Sequence, residues 1–209
     1  SCIRNEVKNA IAYISLRGGY IDGKPAKEFQ FQGEPIINIT YLCYNQNNNE
    51  GCINQKPAFT DDLRWEIKEY IRDDLEDCFS SMADNYRKNS YETAVEYNDF
   101  NVSIFPGKAT ILTDSKITLT KSGQVIKEEN ITIDIPTKLY EVSFIVQEIV
   151  NQEARFCYAE VSGISVIYSE FTINKTKTDS LDNIYSLEHE ESKEKFRFAV
   201  RSCAIPSTA

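Results

Sequence analysis

Six cysteines, at positions 2, 43, 52, 78, 157 and 203, and one histidine, His189, are the residues here best suited to redox, metal or nucleophilic chemistry. The cysteine number is even, and no two stand in a C-x-x-C spacing. Cys43 and Cys52, the closest pair, are too far apart for a zinc knuckle and have no histidine nearby. A single imidazole also excludes any site that needs two. The pattern points to disulfides, and with them to an oxidising, extracytoplasmic compartment. The competing explanations are six buried free thiols or the disulfides of a hyperthermophile's cytosol.

His189 lies in Glu188-His189-Glu190-Glu191. A triad base there needs a distant Ser or Cys, and no G-x-S-x-G elbow exists. The two flanking acids suggest a charged turn with a solvated imidazole. The acid pairs Asp61-Asp62, Asp73-Asp74 and Glu76-Asp77 belong to no D-x-D-x-D-G loop. On a helix, adjacent acids diverge by about 100° and do not share an ion. Gly18-Gly19 is followed by Tyr20 rather than a helix start, so it is no phosphate cradle. No catalytic, cofactor-binding or metal-binding residue is assigned, and no cofactor is expected. With 23 basic against 32 acidic residues, the net charge of −9 argues against nucleic acid as a partner.

Four N-x-S/T sequons, at Asn38, Asn101, Asn130 and Asn174, agree with export as candidate glycosylation sites. Chance alone would supply roughly two at this composition. The 24 aromatics (12 Tyr, 11 Phe, 1 Trp) crowd tyrosines into the N-terminal half. Half-wet tyrosines at helix–sheet contacts explain them better than an exposed contact surface.

The elements follow from hydrophobic period. Ile3, Val7, Ala10, Ile11 and Ile14 have helical spacing, ending at Gly18-Gly19. Ile36–Tyr44 is rich in β-branched and aromatic residues and predicts a strand, followed by a polar tip over 45–51. Thr60 is a candidate N-cap for a helix over Leu63–Cys78, with Asp61 and Asp62 in its first turn. Its exposed face would carry Glu66, Lys68, Glu69, Arg72, Asp73 and Glu76. From about residue 91 the period becomes two, and an antiparallel meander with one wet face is expected, broken by turns at 106–107, 113–115 and 122–123. Lys138–Tyr158 returns to a helical period. Ile164–Ile173, Ile184–Leu187 and Phe196–Val200 predict further strands, and the tail after Cys203 is expected to fray.

Runs of strands beside runs of helices favour an α+β fold: antiparallel sheets packed with about three helices, stapled by disulfides. The expectation is one domain over 1–209, with sub-lobes 1–90 and 91–209. Three bridges fit this order. Cys43–Cys52 closes the polar tip. Cys157–Cys203 ties the terminal strand back to the third helix. Cys2–Cys78 joins two helices whose apolar stripes pack antiparallel. No stretch approaches the ~20 apolar residues of a membrane span. The opening at Ser1-Cys2 shows no signal peptide, so a leader or anchor is expected upstream.

The residues Ser15-Leu16-Arg17-Gly18-Gly19-Tyr20-Ile21 after Cys2, Ile39-Thr40-Tyr41, Tyr70-Ile71, Cys78-Phe79 and Phe196–Arg201 carry a resemblance. Together with the meander, they resemble uncharacterised membrane-anchored surface proteins of DPANN-type archaea, with a pilin-like hydrophobic N-terminus. The resemblance implies an extracytoplasmic α+β domain at the cell surface, tethered to the membrane only through that N-terminal segment, and implies no reaction. The expected function is a surface, structural or adhesive module acting through protein or glycan contacts, not an enzyme. The alternatives are a pilin-like subunit that self-assembles, or a secreted hydrolase with an unrecognised acid pair.

Overall fold

Gly18 and Gly19 adopt φ of 79° and 86°, and the Gly19 N–H returns to the Ile14 carbonyl at 2.8 Å. This left-handed exit ends the first helix, α1 (Cys2–Ser15), in a computed structural model that describes residues 2–47, 50–178, 180 and 182–203. A side chain at Gly19 would meet Leu63 Cδ2 at 2.7 Å, so the turn also needs glycine to let α1 close on its neighbour. That neighbour, α2 (Phe59–Lys88), runs antiparallel to α1. Cys2–Cys78 joins one end of the pair, Tyr13 meets Tyr70 midway, and the Tyr20 hydroxyl donates to Asp62 at the other.

The second helix is longer than its expected Leu63–Cys78 span. Beyond Cys78 its apolar stripe continues through Phe79, Met82 and Tyr86, which pack on Ile117 and Leu119, and through buried Ala83. Thr60 is not its cap. Residue Ala58 holds that place, with no side-chain cap bond, while the Thr60 hydroxyl donates to Ser143 Oγ at 3.0 Å. Glu66 is not on the exposed face either. It is 8 % exposed and accepts the Ile21 N–H at 2.9 Å.

The first sheet contains β4 (Glu92–Phe105), β5 (Lys108–Lys121), β6 (Gln124–Glu129) and β7 (Thr132–Pro136). β4 flanks β5 on one side; β6 and β7 follow each other along the other. Residues 113–115 are strand, not turn. Thr113 and Ser115 are buried, their hydroxyls bond at 2.8 Å, and Thr113 Oγ1 accepts the Ile131 N–H. The break lies opposite, at Asn130 (φ 56°), where β6 gives way to β7. Polar residues in mid-strand β5 satisfy the backbone its partner leaves open there.

The second sheet has β1 (Ala26–Phe29), β2 (Ile37–Tyr44), β3 (Ile53–Asn54), β8 (Phe171–Lys177), β9 (Asn183–His189) and β10 (Lys195–Arg201). Its order is β1-β2-β10-β9-β8, with β3 beside β2. All pairs are antiparallel except β10 with β2. The sheet takes strands from both the 1–90 and the 91–209 segments. β10, last in sequence, is interior in space. The third helix, α3 (Leu139–Phe156), matches its expected period, but residues 164–167 belong to a short helix, α4 (Val161–Ile167), not to a strand. Only Ile164 of α4 is buried, so a strand-like composition is folded by local backbone bonds.

The architecture is therefore α+β, with mostly antiparallel sheets and three disulfides. The main core, from Val7, Ile14, Leu42 and Phe59 through Ile149, Tyr185 and Phe198, lies between helices and sheets, with smaller clusters around Tyr41 and around Phe79. None of the tyrosines 13, 20, 41, 44, 86, 91 and 97 is fully exposed. The tail after Cys203 and positions 48 and 49 of the polar tip lie outside the described residues.

Candidate functional site

The chemistry-bearing side chains gather where α3 ends. Arg155 and Phe156 close the helix, and Cys157 turns out of it at φ 56°, its N–H bonded to the Glu153 carbonyl. Cys157 pairs with Cys203 at a Cα separation of 5.4 Å. Beside it runs the Cys43–Cys52 loop, with a Cα separation of 5.3 Å. Ser202 connects the two: its hydroxyl accepts the Cys52 N–H at 3.2 Å and donates to the Glu153 carbonyl at 2.9 Å.

Glu153 is fully buried in this node. Its Oε1 accepts from Lys175 Nζ at 2.8 Å and from the Tyr185 hydroxyl, while Oε2 has no hydrogen-bond partner among the described residues. Burial first, then the Glu153 charge, pushes the Tyr185 phenol well above its ordinary value. A phenol so raised stays a donor, and the trio acts as a lock between α3, β8 and β9.

Two further sets of ion pairs clamp the opposite face of the same sheet, one built on buried Asp182 and the other on buried Arg197. Burial pushes the Asp182 carboxyl up, but hydrogen bonds from Arg201, Lys27 and Tyr41 outweigh it and hold the group below its ordinary range. Arg197 grips Glu34 with two bonds and lies over the Phe31 ring at 3.8 Å. Sequence reading missed all of these. The signal was present in Phe196–Arg201, where Arg197 and Arg201 alternate with apolar neighbours in a strand that is buried on both faces.

His189 is not a solvated surface residue. It is 4 % exposed, packs against Phe171, and its Nδ1 accepts the Ser192 N–H at 3.0 Å. It organises the β9–β10 turn. The acids at 73, 74, 76 and 77 do lie on the exposed face of α2, but Asp62 is tied to Tyr20. Among the described residues no group of three or more His, Cys, Asp or Glu is placed to hold a metal ion.

Two grooves flank α1. One of about 540 Å³ lies beside the Cys2–Cys78 bridge, lined by Ile3, Phe79, Met82, Tyr86 and Ile133. The other, about 450 Å³, lies between Ile11, Leu16, Pro136 and Lys195. Neither brings together the charged residues of the node. The outer surface there mixes aromatic and charged side chains: Arg155 lies over the Phe156 ring and Lys175 over the Tyr158 ring, both at 5.0 Å. Phe156 and Tyr158 flank the bridge half-exposed, and Val166 and Ile167 of α4 are 80 % and 75 % exposed, the highest values among the large exposed apolar side chains. The site thus combines a cross-linked base with exposed apolar side chains nearby in the sequence, on the helix that follows.

Comparison of the chain with protein-family models, with curated proteins and with solved structures finds no match. Among the described residues no helix is long and apolar enough to cross a membrane.

Proposed function

We propose that this chain is an extracytoplasmic surface module that works by contact rather than by turnover. The observation that carries the reading is the pairing of all six cysteines into three bridges; the chain also exposes Val166 and Ile167 on α4. Disulfides persist in oxidising compartments, and large aliphatic side chains as exposed as Val166 and Ile167 are suited to burial against a partner. The Val166–Ile167 pair offers no hydrogen bonds to a sugar, which favours a protein partner over a glycan. The resemblance to archaeal surface proteins agrees with this address and adds a membrane tether at the N-terminal end.

The test is thiol trapping in the cells that make the protein, with a membrane-permeant alkylating tag applied before lysis. No tagged cysteine supports the reading; six tagged cysteines overturn it. A second arm measures binding of the labelled protein to the surface of those cells. The V166D/I167D variant should lose at least tenfold in binding while keeping its circular dichroism spectrum. Undiminished binding removes α4 from the interface.

A further inference from the structure

Among the described residues both sheets end in strands paired on one side only: β4 in the first, and β8 and β1 in the second. Such edges leave backbone N–H and C=O groups free to template another strand, and natural proteins blunt them. Fourteen residues of β4 form an uncommonly long edge. Asn101 stands on β4 and Asn174 on β8. Asn130 stands on the other border of the first sheet, at the break between β6 and β7, with a φ of 56°.

All three asparagines are exposed, and none of their carboxamides makes a hydrogen bond among the described residues. A strand's period of two also puts the Asn and the hydroxyl residue of N-x-S/T on one face. Thr176 and Thr132 are exposed with their asparagines, and Ser103 is half-exposed beside Asn101. Asn38 differs. It lies in interior strand β2, and its Thr40 is buried where Gly18 and Gly23 press against it.

We infer that Asn101, Asn130 and Asn174 carry N-linked glycans that shield β4, the β6–β7 border and β8 from pairing with other strands. The donor is a lipid-linked oligosaccharide phosphate. The carboxamide nitrogen bonds to C1 of the first sugar, the C1–O bond to phosphate breaks, one amide proton passes to a base, and the lipid phosphate leaves. Nothing is oxidised or reduced. A hydrated oligosaccharide on an edge strand sweeps the space that a second strand needs. The inference rests on the extracytoplasmic reading, because only an exported chain meets that donor.

The test supplies export artificially, by fusing the chain to a secretion leader in cultured animal cells. A failure here leaves the compartment reading standing, and thiol trapping in the native cells judges that reading separately. Release by N-glycosidase in ¹⁸O water should leave labelled aspartate at positions 101, 130 and 174. Unlabelled peptides at all three, from a secreted and folded protein, overturn the inference. The enzymatically deglycosylated protein should then sediment as self-associated species at concentrations where the glycosylated form is monomeric. The triple variant N101Q/N130Q/N174Q, checked for native circular dichroism, should behave likewise. A deglycosylated protein that stays monomeric overturns the shielding.

Discussion

Cys2 and Cys78 stand 5.9 Å apart at Cα because α1 and α2 run antiparallel, which brings the first residue of one beside the twentieth of the other. The bridge spans a sequence separation of 76, against 9 for Cys43–Cys52. Closing the longer loop removes more freedom from the unfolded chain, about 4.5 against 2.7 kcal/mol from loop length alone. The variant C2S should therefore melt lower than C43S, by roughly 4–8 °C at this chain size. Calorimetry of both variants, repeated in reducing agent, checks this; under reduction the difference should vanish.

Acid should weaken the protein through Asp182. Its carboxyl is fully buried and bonded by Arg201 and Lys27, and it titrates below the ordinary 3.8. A depressed folded pKa contributes stability above the unfolded pKa, and that stability is lost as pH falls through the folded value. D182N should cost about 3 kcal/mol near neutrality, the low end for breaking a buried pair, since Lys27 and Arg201 keep some access to water. Denaturant titrations from pH 6 to 2 should show the two proteins converging below pH 3.8. Parallel curves would refute the assignment.

Much of this fold was legible because burial is one-sided in most of it. The stripes of α1 and α3 and the alternation of β5 follow directly from packing on one face. The reading failed where a polar residue serves the interior. Thr113 and Ser115 look like a turn because their types favour one, yet they bridge a break in the neighbouring strand. Glu66 falls beside Lys68 and Glu69 in sequence, but the return of the chain at Ile21 buries it. His189 has acids around it and Phe171 against it, and only the second fact decides its environment. The node at Glu153 joins α3 to β8, β9 and β10. No local pattern encodes partners separated by 22, 32 and 49 positions.

His189→Ala should destabilise rather than inactivate. The substitution leaves the Ser192 N–H without its Nδ1 acceptor and opens space against Phe171. An unsatisfied amide costs about 1–3 kcal/mol when it stays buried, less if the turn opens to water. Hydrogen exchange should accelerate first at Ser192 and Lys193. Uniform acceleration across β9 and β10 would mean that the histidine supports the sheet, not the turn.

Two glycines should respond oppositely to alanine. A Cβ at Gly51 would lie 2.4 Å from the Ala154 carbonyl oxygen, so the Cys43–Cys52 loop must shift off α3. Overpacking of this kind costs about 1–3 kcal/mol. A Cβ at Gly163, inside α4, meets only Glu160 Cγ at 3.5 Å. Alanine there should add up to about 1 kcal/mol by helix propensity. Denaturant midpoints of G51A and G163A decide both.

The third bridge should matter for the whole molecule and not for the strand beside it. A last strand held only by a terminal disulfide would peel away when the disulfide is cut. Here β10 lies between β2 and β9 and is hydrogen-bonded on both sides. Arg201 is pinned by Asp182 at its end, and Ser202 bonds both Cys52 and Glu153 before Cys203 is reached. The Cys157–Cys203 loop, with a sequence separation of 46, still constrains the unfolded chain by about 4 kcal/mol. C203S should therefore lower global stability by that order while the amides of Phe196–Val200 exchange only through global unfolding. Native-state hydrogen exchange against denaturant separates the two cases. If those amides open at a lower free energy than the core of β9, the bridge, not the sheet, holds the C-terminal strand.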